Sequence, residues 1–126
     1  MNVFFDVDYT LINMYGKLRP WVREVFQQLR LDGHTIYIWS GVGVRWPVIR
    51  QHHLEEFVAD CYQKPLDDHH RRLPDLGVKV LPDFCIDDYE EIIEAFGGTV
   101  IRPYYWNDLL DLEMHRVYAR ISSHRG

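Results

Sequence analysis

The chain has 126 residues, 47% of them apolar and 14% aromatic, with a formal net charge of −5. This length suits a single domain, residues 1–126, with one core, and the apolar content excludes a disordered chain. The acidic balance argues against tight nonspecific nucleic-acid binding, which needs Lys and Arg to neutralise phosphates; local basic patches stay open because arginines far outnumber lysines.

The first element is the most telling. Asn2 to Ile12 is a short apolar run that ends in Asp6 and Asp8, followed by Thr10. The run is too short for a core helix and rich in β-branched and aromatic residues, so it reads as a buried strand of a parallel sheet. After a loop from Asn13 to Arg19, Pro20 opens a helix at a position that suits proline. Trp21, Val25 and Leu29, with Val22 and Phe26, give it an apolar stripe, and Asp32-Gly33 stops it. Thr35 to Trp39 is the second strand, ending at Ser40-Gly41, and a helix follows from about Trp46-Pro47 to His53. Phe57 to Tyr62 is the third strand, leading into Gln63-Lys64-Pro65.

Leu66 to Pro82 is polar and interrupted by proline, which predicts a short helix and loop. Phe84 to Asp88 is the fourth strand, ending in a second acid pair. Glu90 to Phe96 is a helix, Gly97-Gly98 ends it, and Thr99 to Arg102 is the fifth strand. Trp106 to about Ile121 has the spacing of a terminal amphipathic helix, with Leu109, Leu112, His115 or Arg116, and Ala119 on neighbouring turns. Alternating strands and helices imply an α/β fold. The expectation is a Rossmann-like three-layer α/β/α sandwich around a five-stranded, mainly parallel sheet, with its core in residues 2–102.

Cys61 and Cys85 form no CxxC pair and sit in apolar segments, as buried free thiols do in a reducing compartment. No apolar run approaches the ~18 residues of a membrane span. With a strand starting at residue 2 there is no room for a signal peptide, and a cytoplasmic location is expected.

Four strand ends carry chemistry: Asp6 with Asp8, Ser40, Lys64, and Asp87 with Asp88. In a parallel sheet these ends open on one edge, where such folds bind ligands. Clustered acids are costly without a positive charge between them, and Mg²⁺ suits one or two carboxylates together with phosphate oxygens. The order then reads as a phosphoryl-transfer site. Asp6 attacks phosphorus and Asp8 moves the proton; Asp6, a group near Asp8, and the second acid pair hold the metal. Ser40 and adjacent backbone N–H groups donate to the phosphoryl oxygens, and Thr10, Gly41 and Lys64 join Ser40 as expected phosphate-binding residues. Lys64 adds a cation beside Asp6. Lys79 is a rival for this role, but Lys64 has the strand-end position.

With these motifs in place, the chain resembles the haloacid dehalogenase superfamily, in its phosphatase branch, over about residues 2 to 102. Asp6-Val7-Asp8-Tyr9-Thr10 stands where that family has DxDxT. Ser40, Lys64 and the pair Asp87-Asp88 stand for its second, third and fourth motifs. The resemblance implies Asp6 as nucleophile and Asp8 as acid/base. It also implies Asp88 as the direct metal ligand, with Asp87 acting through water or orienting Lys64. Tyr9 departs from the glycine that many relatives carry. The points where caps are inserted are nearly empty, as in capless members, whose open sites accept phosphorylated macromolecules or borrow a lid from a partner subunit. The substrate expected is therefore a phosphorylated macromolecule or a small phosphate ester, and an oligomer that lends a lid is compatible with it. Tyr9, Asn13, Tyr15, Lys17 and Arg19, with Arg45 in the loop after Ser40, are placed to read that substrate.

Other readings keep part of this pattern. Dehalogenation needs no acid at position 8. Transfer to an alcohol acceptor depends only on access to the site. A receiver-type module carries its lysine last, whereas here Lys64 precedes the final acid pair, and a non-catalytic phosphate-binding domain would not need every one of these residues. The pairs His52-His53 and His69-His70 lack a third ligand at zinc spacing and read as surface histidines. His69 to Arg72 reads as a charged helix face. Tyr104-Tyr105-Trp106 is expected to pack the last helix onto the sheet.

Overall fold

Alternation along the central strands decides the architecture. In β1 (Asn2–Phe5), Val3 and Phe5 join one apolar cluster while Phe4 joins another on the opposite side. β2 (Thr35–Ser40) repeats this, with Ile36 and Ile38 on the first face and Tyr37 and Trp39 on the second. A strand buried on both faces needs apolar residues at nearly every position, which is why these segments read as unbroken apolar runs.

The computed structural model describes residues 1–124. Its sheet has five strands, all parallel, in the order β3-β2-β1-β4-β5, with β3 at Val58–Gln63, β4 at Phe84–Asp87 and β5 at Gly98–Val100. On one face lie α1 (Val22–Leu31), α2 (Trp46–Gln51) and α5 (Glu113–Ser123), which bury Val25, Phe26 and Leu29, Ile49, and Met114, Val117 and Ile121. On the other face lies α4 (Glu90–Phe96), which buries Ile92 beside Leu73 and Val78, just after the short α3 (His69–Arg72). The result is a three-layer α/β/α fold, without a cap among the described residues. Among the described residues, no helix is long and apolar enough to cross a membrane.

Gly98 has no substitute at its position. Its φ is +131°, and a Cβ there would lie 1.9 Å from the Cys85 carbonyl oxygen. The glycine lets β5 close against β4. Both cysteines are free and buried. Burial, followed by the Asp60 charge, pushes the Cys61 thiol up to about 12, and burial raises Cys85 as well. Neither is a ready nucleophile.

Several boundaries differ from the sequence expectation. Helix α1 starts at Val22; Trp21 takes a left-handed conformation at φ 72° and turns its half-exposed ring onto His115, 4.8 Å away between centroids. Helix α2 stops at Gln51, because His53 needs φ 55° to turn the chain into a 3-10 turn at Glu55–Phe57; β3 therefore begins after Phe57. Strand β5 occupies 98–100, not 99–102.

The largest correction concerns the last helix, which begins at Glu113 rather than Trp106. Residues 106–112 instead wrap over the protein as turns. The Asp108 carboxylate accepts the Leu110 N–H at 3.0 Å, and Asp111 accepts the Glu113 N–H at 3.2 Å. Aspartates that bind the backbone two residues on favour turns over helix. Leu109 and Leu110 consequently stand 86% and 85% exposed.

Tyr104 is buried, with its N–H donated to the Tyr9 carbonyl at 2.7 Å, whereas Tyr105 and Trp106 are exposed. His52 Nε2 lies 2.9 Å from the Gly16 carbonyl and His70 Nε2 2.6 Å from that of Ala95. Arg71 and Arg72 pair locally with Asp68 and Asp67.

Candidate active site

The chain reverses direction across the sheet between β1 and β4: β2 and β3 lie to one side of β1, β4 and β5 to the other. A crevice opens beyond the carboxyl ends of such neighbouring strands. Asp6 and Asp8 follow β1, Asp87 ends β4 and Asp88 follows it, so topology alone brings the two acid pairs to one edge. The Asp6 N–H donates to the Ile86 carbonyl at 3.0 Å, which extends the pairing of β1 with β4 to the first acid.

Lys64 sits between the two acid pairs. Its Nζ donates to Asp6 Oδ1 at 3.0 Å and to Asp87 Oδ2 at 2.9 Å, and the lysine is only 4% exposed. It is delivered there by β3, whose end is tied to β2 by the Lys64 N–H on the Ser40 carbonyl at 2.9 Å. Burial alone would lower the lysine's pKa, but the Asp6 and Asp87 carboxylates outweigh it and the net direction is upward. A buried, doubly paired ammonium stays charged.

Thr10 Oγ1 donates to Asp6 Oδ2 at 3.0 Å, so both oxygens of Asp6 are fixed in place. Asp87 is equally committed. Its Oδ2 takes Lys64, its Oδ1 accepts the Tyr89 N–H at 3.0 Å, and it is fully buried. Burial and the nearby Asp6 charge raise its pKa despite the lysine.

Asp88 is the less committed member of that pair. Asp6, Asp87 and Asp88 each offer a carboxylate oxygen, and the three oxygens lie within 4.8 Å of one another. Burial, then the Asp6 and Asp87 carboxylates, push Asp88 up to about 7. Three crowded carboxylates against one ammonium leave negative charge uncompensated. An all-oxygen, partly buried donor set of this kind fits a hard divalent cation such as Mg²⁺. The Asp8 side chain is not in this group.

This sets the expected pH response of the metal-free protein. Asp88 has a folded pKa above its unfolded one, so the folded state holds the extra proton. Stability then falls as pH rises from about 4 towards about 7. A divalent ion must displace that proton. Thermal melts are expected to show a larger Mg²⁺-induced rise in Tm at pH 8 than at pH 5, and Asp88→Asn should abolish the difference. Equal shifts at both pH values would contradict this origin of the effect.

Asp8 faces elsewhere. Its Oδ2 lies 2.6 Å from Arg45 Nη1 and its Oδ1 3.1 Å from Arg45 Nη2, while Nη1 also reaches Ser40 Oγ at 3.3 Å. Asp6, Asp8, Ser40, Gly41, Lys64 and Asp88 line one cleft of about 280 Å³, whose outer wall is Tyr9, Val42, Leu66 and Tyr89. Tyr9 holds φ 64°, a conformation that glycine adopts freely, and sets its ring edge-on to Tyr105. Leu66 packs so closely on Gly41 that a Cβ there would lie 2.8 Å from its Cδ2.

Several expected site residues lie outside this cleft. Thr10 is fully buried and bonded to Asp6, so it supports that carboxylate instead of meeting a phosphate. Asn13 is buried as the organiser of its own loop: its Oδ1 accepts the N–H groups of Tyr15 and Lys17, and its Nδ2 donates to Asn107. Arg19 is 1% exposed and cannot read a substrate. It forms a two-pronged pair with Asp111, at 2.8 and 2.9 Å, and donates to the carbonyls of Thr10 and Arg102. Tyr15 and Lys17 are exposed but do not line the cleft. Of that set, Tyr9 lines the cleft and Arg45 pairs with Asp8.

Sequence reasoning missed Leu66 and Tyr89 as walls of the cleft and Asp111 as the anchor of Arg19. The position of Tyr89 directly after the second acid pair was a signal for the first of these; nothing local pointed to Asp111. In comparisons with known proteins, the chain matches no family model, and a search of curated proteins gives no significant match.

Proposed function

We propose that the protein is a Mg²⁺-dependent phosphomonoesterase that works through an aspartyl-phosphate on Asp6, as in haloacid dehalogenase-type phosphatases. The observation that carries this reading is the ion-paired triad Asp6–Lys64–Asp87, with Asp88 beside it, in the cleft that also holds Asp8 and Ser40. A cluster of acids around one buried lysine at a ligand-binding edge is costly for folding and well suited to handling a charged phosphoryl group.

Each residue then has a task. Asp6, fixed by Lys64 and Thr10, presents an oxygen to phosphorus; a P–O bond to Asp6 forms as the ester P–O bond breaks. Asp8 gives its proton to the departing oxygen. In the second half Asp8 takes a proton from water, whose oxygen attacks phosphorus; the bond to Asp6 breaks, releasing inorganic phosphate. Lys64 and Ser40 meet the charge on the phosphoryl oxygens, and Asp87 orients Lys64. Asp6 and Asp88, with Asp87 behind them, would hold Mg²⁺, which supplies charge neutralisation and alignment of the phosphate.

Among the described residues the cleft has no lid of its own, and this supports substrates that bring their own bulk, whether a phosphorylated macromolecule or a small ester with an apolar leaving group. The test is phosphate release from an aryl phosphate. Hydrolysis should require added Mg²⁺ and be blocked by beryllium fluoride, which copies a phosphorylated aspartate. Metal-independent hydrolysis, or none across aryl, nucleotide, oligonucleotide and phosphopeptide esters, would remove the reading.

A further inference from the structure

The Asp8–Arg45 pair is out of keeping with the task given to Asp8. A carboxyl group that passes a proton to and from substrate needs an oxygen free to hold it. Here both oxygens are gripped by one guanidinium, at 2.6 and 3.1 Å. The pair is no deep structural strut, since the side chains of Arg45 and Asp8 keep 20% and 42% of their exposure. Partly exposed pairs of this kind contribute little to stability, so exchanging the partner costs little.

What the arginine touches next shows which partner could replace Asp8. The Nη1 that holds Asp8 also lies 3.3 Å from Ser40 Oγ, and Ser40 lines the cleft. Lys64, the other cation there, already gives two of its three N–H donors to Asp6 and Asp87. A phosphate dianion entering beside Ser40 therefore meets Lys64 with one donor to spare and Arg45 within reach of the serine hydroxyl. A planar guanidinium grips two phosphate oxygens as readily as two carboxylate oxygens.

We propose that Arg45 is a ligand of the substrate phosphate held in reserve on Asp8. The arriving dianion draws the guanidinium from the carboxylate and takes its place on the two-pronged donor. The proposal rests on the phosphatase reading and adds to it a residue outside the four strand-end motifs.

The test is calorimetric titration of inorganic phosphate into the Mg²⁺-loaded full chain, comparing wild type with Arg45→Gln, Arg45→Lys and Arg50→Gln. Losing a charge-assisted pair should weaken phosphate binding about 10- to 100-fold in Arg45→Gln. Arg45→Lys, which keeps the charge without the two-pronged grip, should fall between that variant and wild type. Arg50→Gln, five residues on in α2, should bind as wild type does. In turnover, Arg45→Gln should raise KM for an aryl phosphate by a similar factor. If Arg45→Gln melts at the assay temperature, Arg45→Lys decides: affinity equal to wild type overturns the proposal. Unchanged or tighter phosphate binding in Arg45→Gln also overturns it and makes the arginine a holder of Asp8 alone, with the phosphatase reading intact. A wild type that binds no phosphate sinks both.

Discussion

Asp6→Asn is expected to lower phosphate release by at least ~10³-fold, the scale on which removal of a covalent nucleophile acts. The substitution is nearly isosteric, and the amide oxygen can still accept from Lys64 or Thr10, so the fold should persist. The sign of the stability change is itself informative. Removing one negative charge from the cluster of Asp6, Asp87 and Asp88 relieves repulsion. Metal-free Asp6→Asn should therefore melt no lower than metal-free wild type at pH 8, while its response to Mg²⁺ shrinks. Activity within tenfold of wild type would rule out Asp6 as the attacking group.

Lys64→Met should have the largest structural effect. It leaves Asp6 and Asp87 buried without the ammonium that both contact at about 3 Å. Breaking a buried pair from one side typically costs about 3–5 kcal/mol. Burial and the Asp6 charge already raise Asp87 against the pull of Lys64, so without the cation Asp87 takes up a proton more readily on folding and the loss should be worse at pH 8 than at pH 5. Denaturant melts at the two pH values, with and without Mg²⁺, measure this directly. A variant as stable as wild type at pH 8 would contradict the reading of Lys64 as the charge that makes the acid cluster tolerable. Turnover should be lost as well, and adding Mg²⁺ should recover stability more than activity.

The strands that hold the site were legible because each carries a strong local signal. β1, β2 and β4 are apolar on both faces; β2 and β4 end in a polar residue at the sheet edge, and Asp6 directly follows β1. The convergence of the two acid pairs followed from the parallel order alone. What escaped was set by contacts between distant positions. Arg19 looks like a surface residue in a polar loop; its burial depends on Asp111, 92 positions on. Leu109 and Leu112 have helical spacing, yet Asp108 and Asp111 bind the local backbone and hold residues 106–112 as turns. The pairing of Arg45 with Asp8 spans 37 positions and leaves no periodic trace. Periodicity reports which face a residue takes. It does not report which charge a long arginine finds once the chain has closed.

The loop after β1 owes its shape to the far end of the molecule. Its Thr10 carbonyl is held by Arg19, which is clasped by Asp111, and its Tyr9 carbonyl by the Tyr104 amide. A ribosome making this protein releases Asp6 and Asp8 first, but about a hundred further residues must follow before their clasp exists. Closing contacts across so long a stretch of chain carries a large entropic cost, which slows folding. A chain that ends before Asp111 thus carries its first acids without the contacts that shape their loop.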